Sequence, residues 1–454
     1  MRDDGPSDDR KRALAVLRRH GADVTSFQLL EPGFSYFFAD DAFVAYVDTG
    51  PAWVAGGGPV AAEDDLPRVT RAFIAKARVL GKRASFFAVS ESLCDACDLP
   101  SVHVGEQPFW TPSRWSEVLA SHKSLRYQIR RAQNKGVTVR RVDAAAMADA
   151  TSDARRAVDQ LVGSWLEQRP LAPMGFLVDV APFDFPEERM YLVAEQGERV
   201  VGFLGAVPIY ARRGWFLEDV LRANDAPNGT AELLVDHAMR LAEGEGAEVV
   251  SLGLAPLAGE VPKRLRLART IARPLYDFGG LHAFKAKLRP EGWEPMYVAA
   301  APGRSPWIAL SDGLTAFARG SMFRFGVATV ARGPIAVLWT LTMLLVVWTP
   351  LLALAPTEPW FPSRHVQFAW VLFDVLLGAG LVLTLKRFRP RLALAIAIAV
   401  TADAVVTIAQ AALFNIERAR SIVDVALIAV ACAGPSLGAL ALWGLIRRRR
   451  EFLP

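Results

Sequence analysis

The chain has 454 residues, 52% hydrophobic and 22% charged, with three cysteines and a formal charge of +5. A mean hydropathy of +0.22 excludes a disordered chain, a collagen-like repeat and a small disulfide scaffold. Residues 333–454 carry 11 Lys/Arg and 6 Asp/Glu, which leaves 41 of each in residues 1–332, so the high pI says nothing about the N-terminal part.

The start, MRDDGPSDDRKR, is charged and has no apolar core, so no signal peptide is expected. Apolar patterning predicts strands at Phe43–Val47, Ala52–Ala55 and Ala84–Val89, with a helix over Asp65–Leu80 between the second and third. Cys94 and Cys97 form a single C-x-x-C with His103 nearby. A structural zinc site needs a second pair, so these read as two thiols near a turn, and no metal is expected. Helices follow over Ser116–Asn134 and Ala144–Glu167, with a strand at Val137–Val142 between them.

Strands are then predicted at Met190–Glu195, Val200–Ile209 and Trp215–Leu221. The loop Arg222–Gly229, an amphipathic helix over Thr230–Glu243 and a strand at Val249–Leu254 follow. This β-β-β-loop-α-β order matches the core of the GNAT acyltransferase fold. The loop ends at a predicted helix N-terminus, where free N–H groups favour an anion; Asn228 or Thr230 is placed to cap it and Gly229 to permit close backbone approach. Asp219 and Arg222 straddle the end of the preceding strand. An Asp there can take a proton or hold an ammonium, and an Arg can clamp phosphate or an oxyanion; a surface ion pair is the plainer alternative.

Two basic runs stand out against the neutral balance of residues 1–332. Residues 121–141 hold seven Lys/Arg and no acid, and residues 263–289 hold eight against Asp277 alone. Lys123, Arg126 and Arg130 recur on one helical face, opposite Leu125 and Ile129. Two such runs point to phosphate-rich partners, an RNA or anionic lipid headgroups. Lys285 and Lys287 follow a Gly–Gly turn and are expected on one face of a strand. The local signatures of serine hydrolases, P-loop enzymes and dinucleotide-binding dehydrogenases are absent.

The last quarter holds four apolar stretches, Pro334–Leu354, Val366–Leu385, Leu392–Phe414 and Ile422–Ile446, each long enough to cross a bilayer. Lys386, Arg387, Arg389 and Arg391 lie between the second and third, and Arg447–Arg450 after the fourth. The opposite loops hold fewer cations, Arg364 with Glu358, and Arg418 and Arg420 with Glu417. The positive-inside rule predicts both termini on the cytoplasmic side. Asp374, Asp403 and Asp424 fall inside the spans and are expected to hydrogen-bond within the bundle.

Taken together, Leu125–Gly136, Met174–Phe176, Asp219–Gly229, Ser251–Leu257 and Gly280–Pro290 resemble the catalytic domain of the phosphatidylglycerol lysyltransferase family, over roughly residues 27–300. The resemblance implies tandem GNAT-like α/β folds and transfer of an aminoacyl group from aminoacyl-tRNA to a lipid hydroxyl. The partners it implies are aminoacyl-tRNA, an anionic phospholipid and the bacterial cytoplasmic membrane, with no cofactor. Catalytic roles map onto Asp219 and Arg222, with the family's lysine motif on Lys285 or Lys287. Substrate contacts are expected from Lys123, Arg126, Arg130, Arg131, Asn228, Gly229 and Ser251. In the family's commonest form a multi-span region precedes the catalytic domain, whereas here four spans follow it. The expected division is a helical lead (1–22), a first GNAT-like part (23–120), a basic connector (121–150), a second, catalytic part (151–303), a juxtamembrane segment (304–333), four spans (334–446) and a basic tail (447–454). Two alternatives are an acyl-CoA-dependent N-acyltransferase and a non-catalytic membrane-tethered lipid-binding module.

Overall fold

A computed structural model describes residues 7–167, 169, 172, 174–178, 180–272, 276–332, 334–354, 361, 363–386, 389–418 and 422–451. Glu358, Arg387 and Arg420 of the predicted span-flanking loops lie outside the described residues. The chain divides into two compact units, one carrying a large sheet and the other the long apolar helices.

The sheet-bearing unit opens with α1 (Asp8–His20), capped by the Ser7 side chain and with Asp8 and Asp9 in its first turn, where acids favour the helix dipole. Then follow β1 (Ser35–Ala39), β2 (Ala42–Asp48), β3 (Ala52–Gly56), α2 (Leu66–Val79), β4 (Arg83–Val89), α3 (Glu91–Ala96) and β5 (Ser101–Trp110). Helix α2 buries Val69, Phe73, Ile74 and Ala77, the i, i+4 stripe of a helix lying on a sheet. Next come α4 (Trp115–Ser121), α5 (Lys123–Asn134), β6 (Val137–Val142), α6 (Ala144–Ala148) and α7 (Asp153–Glu167). They lead into β7 (Met190–Gln196), β8 (Arg199–Ile209), β9 (Gly214–Arg222), α8 (Thr230–Gly244), β10 (Val249–Ser251) and β11 (Ala255–Pro256). The unit ends with α9 (Lys263–Ala272), α10 (Phe278–Lys287), β12 (Gly292–Ala300) and α11 (Pro306–Phe317).

All twelve strands among the described residues join one sheet, in the order β1-β2-β3-β4-β12-β5-β10-β9-β8-β7-β6, with β11 on β5. The β-β-β-α-β pattern occurs twice, and each time the helix crossover makes its flanking strands parallel: Ala52–Gly56 on Arg83–Phe87, and Gly214–Phe216 on Val249–Ser251. The two repeats then exchange their closing strands. β5, which follows the first repeat, pairs with β10 of the second, while β12, which follows the second, pairs with β4 of the first. The two exchanged strands pair with each other from Gly292/Phe109 to Ala299/Ser101. Strand β8 is buried almost throughout because helices cover both faces: α8 with Leu204 and Ala206, α7 with Phe203. Such a strand reads as an unbroken apolar run.

Three expected elements differ. The helix predicted over Ser116–Asn134 breaks at His122, whose backbone leaves the helical region while its ring nitrogen pairs with the Val118 carbonyl at 2.8 Å. The helix predicted over Ala144–Glu167 breaks where the Asp149 carboxylate takes up the Thr151 N–H and hydroxyl, a local bond that competes with helix. Lys285 and Lys287 are helical, not on a strand: Asp277 accepts from the Gly280 N–H at 2.9 Å and caps α10. An N-cap aspartate overrides the turn tendency of the two glycines.

Among the described residues the second unit holds four helices that are long and apolar enough to cross a membrane: Val337–Leu354, Arg364–Lys386, Pro390–Arg418 and Leu427–Arg447. Leu381, Ala393, Ala397, Val400, Ala441 and Leu442 form part of its core. Asp403 accepts from the Thr407 hydroxyl at 3.0 Å, and Asp374 is buried near it.

Candidate active site

Strands β9 and β10 part after the Phe216/Ser251 pair. From there β9 continues to Arg222, while the other limb turns through Leu252–Leu254 into β11 on β5. The pairing of two parallel strands thus ends at their carboxyl ends, the usual place for a ligand in such sheets. Gly253 makes the turn possible: its φ is +69°, and a Cβ there stands 2.7 Å from the Phe216 ring.

Two predicted residues hold this limb. The buried Ser251 hydroxyl donates to the Pro108 carbonyl at 2.8 Å and accepts from the Gly253 N–H at 3.0 Å. The Lys285 ammonium, buried at the end of α10, donates to the carbonyls of Leu252, Gly253 and Leu254 at 2.8, 2.8 and 2.9 Å. Burial pulls its pKa down to about 7, and the three acceptors, which use all its donors, oppose loss of the proton. Lys287 is half-exposed and pairs with the buried Glu232 in the first turn of α8. Lys285 and Ser251 therefore hold the Leu252–Leu254 turn in place, and Lys287 ties α10 to α8.

Asp219 lies on the other limb. A bulge opposite Gly205 gives β9 two residues against one on β8, which places Glu218 and Asp219 together. The Glu218 carboxylate accepts from Arg189 Nη1 at 2.5 Å, with both side chains buried. Arg189 also donates to the Asp184 carbonyl at 2.8 Å and lies over the Phe27 ring. Burial, and next the neighbouring Glu218 carboxylate, push Asp219 up to about 8; Arg189 only partly offsets them. Asp219 is thus largely protonated at neutral pH. Neither Glu218 nor Arg189 is singled out by the sequence patterns, although two adjacent acids within an apolar strand were a visible signal.

Arg222 is exposed at the strand end, opposite Gly202. Three residues from Asp219 in an extended strand, it projects from the opposite face. The structure therefore brings Asp219 to Arg189 and Glu218, and leaves Arg222 at the rim.

The α8 N-terminus differs from expectation. Neither Asn228 nor Thr230 caps it: Gly229 is the N-cap residue, the Thr230 hydroxyl donates back to the Pro227 carbonyl at 2.7 Å, and Asn228 is exposed. Gly229 has φ +99°, and a Cβ there falls 2.0 Å from the Gln128 carbonyl oxygen of α5. The close approach that Gly229 permits is to the basic helix. Within α5 the roles divide. Arg126 turns inward, its guanidinium donating to the Leu119 and Ala120 carbonyls that end α4, and so does not join the exposed basic face. Lys123, Arg130 and Arg131 are exposed, on one side of the helix with Tyr127, which is 60% exposed. Lys123, Arg130 and Arg131 form no ion pair among the described residues, and the exposed Tyr127 among them escaped the charge-based reading.

Cys94 and Cys97 are buried in an apolar cluster with Leu93 and Leu99, and burial raises the Cys94 thiol pKa, as for an inert structural cysteine. Among the described residues no group of three His, Cys, Asp or Glu is placed to hold a metal.

A family model described as "Phosphatidylglycerol lysyltransferase, C-terminal" matches residues 14–300. The phosphatidylglycerol lysyltransferase of Bacillus subtilis (strain 168) is 25% identical over 325 residues, covering 66% of this chain and 36% of that protein, so the chain spans about a third of the length of this curated relative. Two solved structures share the fold. The C-terminal domain of a candidate lysylphosphatidylglycerol synthetase from Agrobacterium fabrum has a TM-score of 0.60 at 24% identity, covering 69% of this chain and 98% of that one. L-PGS from Bacillus licheniformis has a TM-score of 0.59 at 20% identity, covering 70% and 100%. With its doubled GNAT-like sheet and a family match over most of the sheet-bearing unit, the chain belongs to the phosphatidylglycerol lysyltransferase C-terminal family.

Proposed function

We propose that this protein is a membrane-anchored aminoacyltransferase that moves an aminoacyl group from aminoacyl-tRNA to a hydroxyl of phosphatidylglycerol or a related lipid. The observation that carries the reading is the juxtaposition around the α8 N-terminus. Helix α5 packs on Gly229 through Gln128 and Ala132 and turns its exposed Lys123, Tyr127, Arg130 and Arg131 outward, while the buried Asp219 lies three residues before Arg222 on β9, on the opposite face of the strand.

The reaction asks little covalent chemistry of the protein. The lipid oxygen attacks the carbonyl carbon of the aminoacyl ester and loses its proton. The tetrahedral intermediate then expels the terminal ribose oxygen of the tRNA, which takes up a proton. The donor ester is already activated, so positioning and stabilisation of the oxyanion dominate. Asp219, with its pKa raised to about 8, takes the hydroxyl proton in its ionised form, whose share grows as pH rises toward 8. Arg222, at the rim and free of an ion pair among the described residues, takes a phosphate of the donor or the lipid. Lys123, Arg130, Arg131 and Tyr127 hold the tRNA end, and the exposed Asn228 contributes from the Arg222–Gly229 loop.

The same geometry weakens the acyl-CoA alternative. The Gln128 carbonyl already sits against Gly229, and pyrophosphate recognition at a helix N-terminus needs that backbone open. Lipid extracts from cells with and without the protein, compared by mass spectrometry, test the proposal. An aminoacylated phospholipid that depends on the protein supports it, and identical lipid profiles refute it.

A further inference from the structure

Helices α9 and α11 lie together on the sheet around β5 and β12. Leu265 of α9 and Ala309 of α11 are buried in one apolar cluster, with Trp307 and Leu310 half-buried against it. The outward sides of these helices have a different composition. Leu267 is 62% exposed, Ile308 44% and Leu314 48%. Lys263, Arg264, Arg266 and Arg304 are exposed around them, and the Arg264 guanidinium carbon lies 5.7 Å from the centre of the Trp307 ring. None of these four cations forms an ion pair with a described residue. Helix α9 contains no acid, and the one acid of α11, Asp312, is buried against Arg83 and Ser85; Glu260 precedes α9 on the exposed chain.

Exposed aliphatics ringed by unpaired cations, with a Trp at the boundary, are the composition of helices that lie in a bilayer interface. The other basic helix offers an internal comparison. In α5, Leu125 and Ile129 are buried and the exposed apolar group is the aromatic Tyr127, which suits bases better than acyl chains. Chain continuity also favours a bilayer, since α11 ends at Phe317 and the first membrane-length apolar helix begins at Val337.

We propose that the α9–α11 face docks on an anionic phospholipid surface. Leu267, Ile308 and Leu314 enter the acyl boundary, and Lys263, Arg264, Arg266 and Arg304 meet headgroup phosphates. Docking is a contact separate from the transfer reaction, and its test reads no catalysis.

The experiment uses the full chain in nanodiscs, with Cys432→Ser as background; Cys94 and Cys97 are buried. A fluorophore is placed at Leu267→Cys, at Ile308→Cys or, as control, at Val79→Cys, an exposed apolar site on α2. Nitroxide-bearing lipids then report proximity to the bilayer. In discs of phosphatidylglycerol and phosphatidylcholine at about 1:2, the labels at 267 and 308 are expected to lose about half their emission or more, and the label at 79 little. Each cation near such a surface is worth roughly a factor of five in partitioning. The triple variant Lys263→Gln, Arg264→Gln, Arg266→Gln should therefore lower the docked population roughly 100-fold. Circular dichroism checks its fold, and Leu267→Ser with Ile308→Ser provides a second disruption, read from a label at Leu314→Cys, that leaves the charge intact. Three results overturn the proposal: unquenched labels at 267 and 308, quenching that survives the charge substitutions in a folded protein, or shielding of these labels by tRNA in place of lipid.

Discussion

Asp219 and Arg222 sit three residues apart on one strand, yet alternation sends one into the interior and the other to the rim. Their contributions should therefore be separable. Asp219→Asn is expected to cut transfer by about 10²–10⁴, measured with saturating donor, whereas Arg222→Gln should chiefly raise the donor concentration needed. Stability tells the functional reading from a structural one. The folded chain keeps the Asp219 proton up to about pH 8, while an unfolded Asp releases it near 3.9, so this group destabilises the fold progressively as pH rises from about 4 to about 8. Asn carries no such penalty. Asp219→Asn should melt no lower than the native protein at pH 7, and a drop of several degrees would make Asp219 a structural group. Lys285 makes the opposite case. Lys285→Met strands three carbonyls in the interior and should cost about 3 kcal/mol or more, read by denaturant unfolding. The residue types of this region were legible from strand-end position and charge. What each side chain touches was not, because the Arg189–Glu218 pair and the Lys285 cradle join residues far apart in the chain.

At the level of elements, the most consequential arrangement is the exchange of β5 and β12 between the two repeats. Each repeat closes its sheet with the strand that follows the other, so neither can complete its sheet alone. Short-range patterning found the strands that precede each crossover, since alternating or continuous apolar runs mark them. It missed β5 and β12 because their partners are remote in sequence, and the polar Glu106, Gln107 and Glu294 within them break the pattern. The helix breaks at His122 and Asp149 were missed for another reason: single side-chain bonds to the backbone decide them. Gly229 couples two elements directly. Gly229→Ala places a Cβ 2.0 Å from the Gln128 carbonyl oxygen at φ +99°, so α5 must move. The strained backbone alone costs about 1–2 kcal/mol, and displacement of α5 should weaken tRNA binding severalfold. Filter binding of the full chain checks this, and native affinity for tRNA would detach α5 from the donor site.

For the whole molecule, the apolar quarter and its flanking charges set the topology expected here. Reporter fusions should place the C-terminus and the loop between the second and third spans on the same side of the membrane as the sheet-bearing unit. A reporter that functions only outside the cytoplasm should be silent after Pro454 and active near Pro359; the reverse pattern would put the sheet-bearing unit on the wrong side for a tRNA donor. The four spans were legible by length and composition alone, whereas the doubled sheet became so only through the resemblance of scattered motifs. The central claim, transfer from tRNA to lipid, has one direct measurement. The full chain, reconstituted with phosphatidylglycerol, is given aminoacyl-tRNA labelled in its amino acid, and the lipid extract is counted. Label should enter the lipid fraction, should fail to enter after ribonuclease treatment of the donor, and should fall sharply with Asp219→Asn. A folded, reconstituted protein that leaves all label on tRNA, whichever amino acid is carried, would contradict the account.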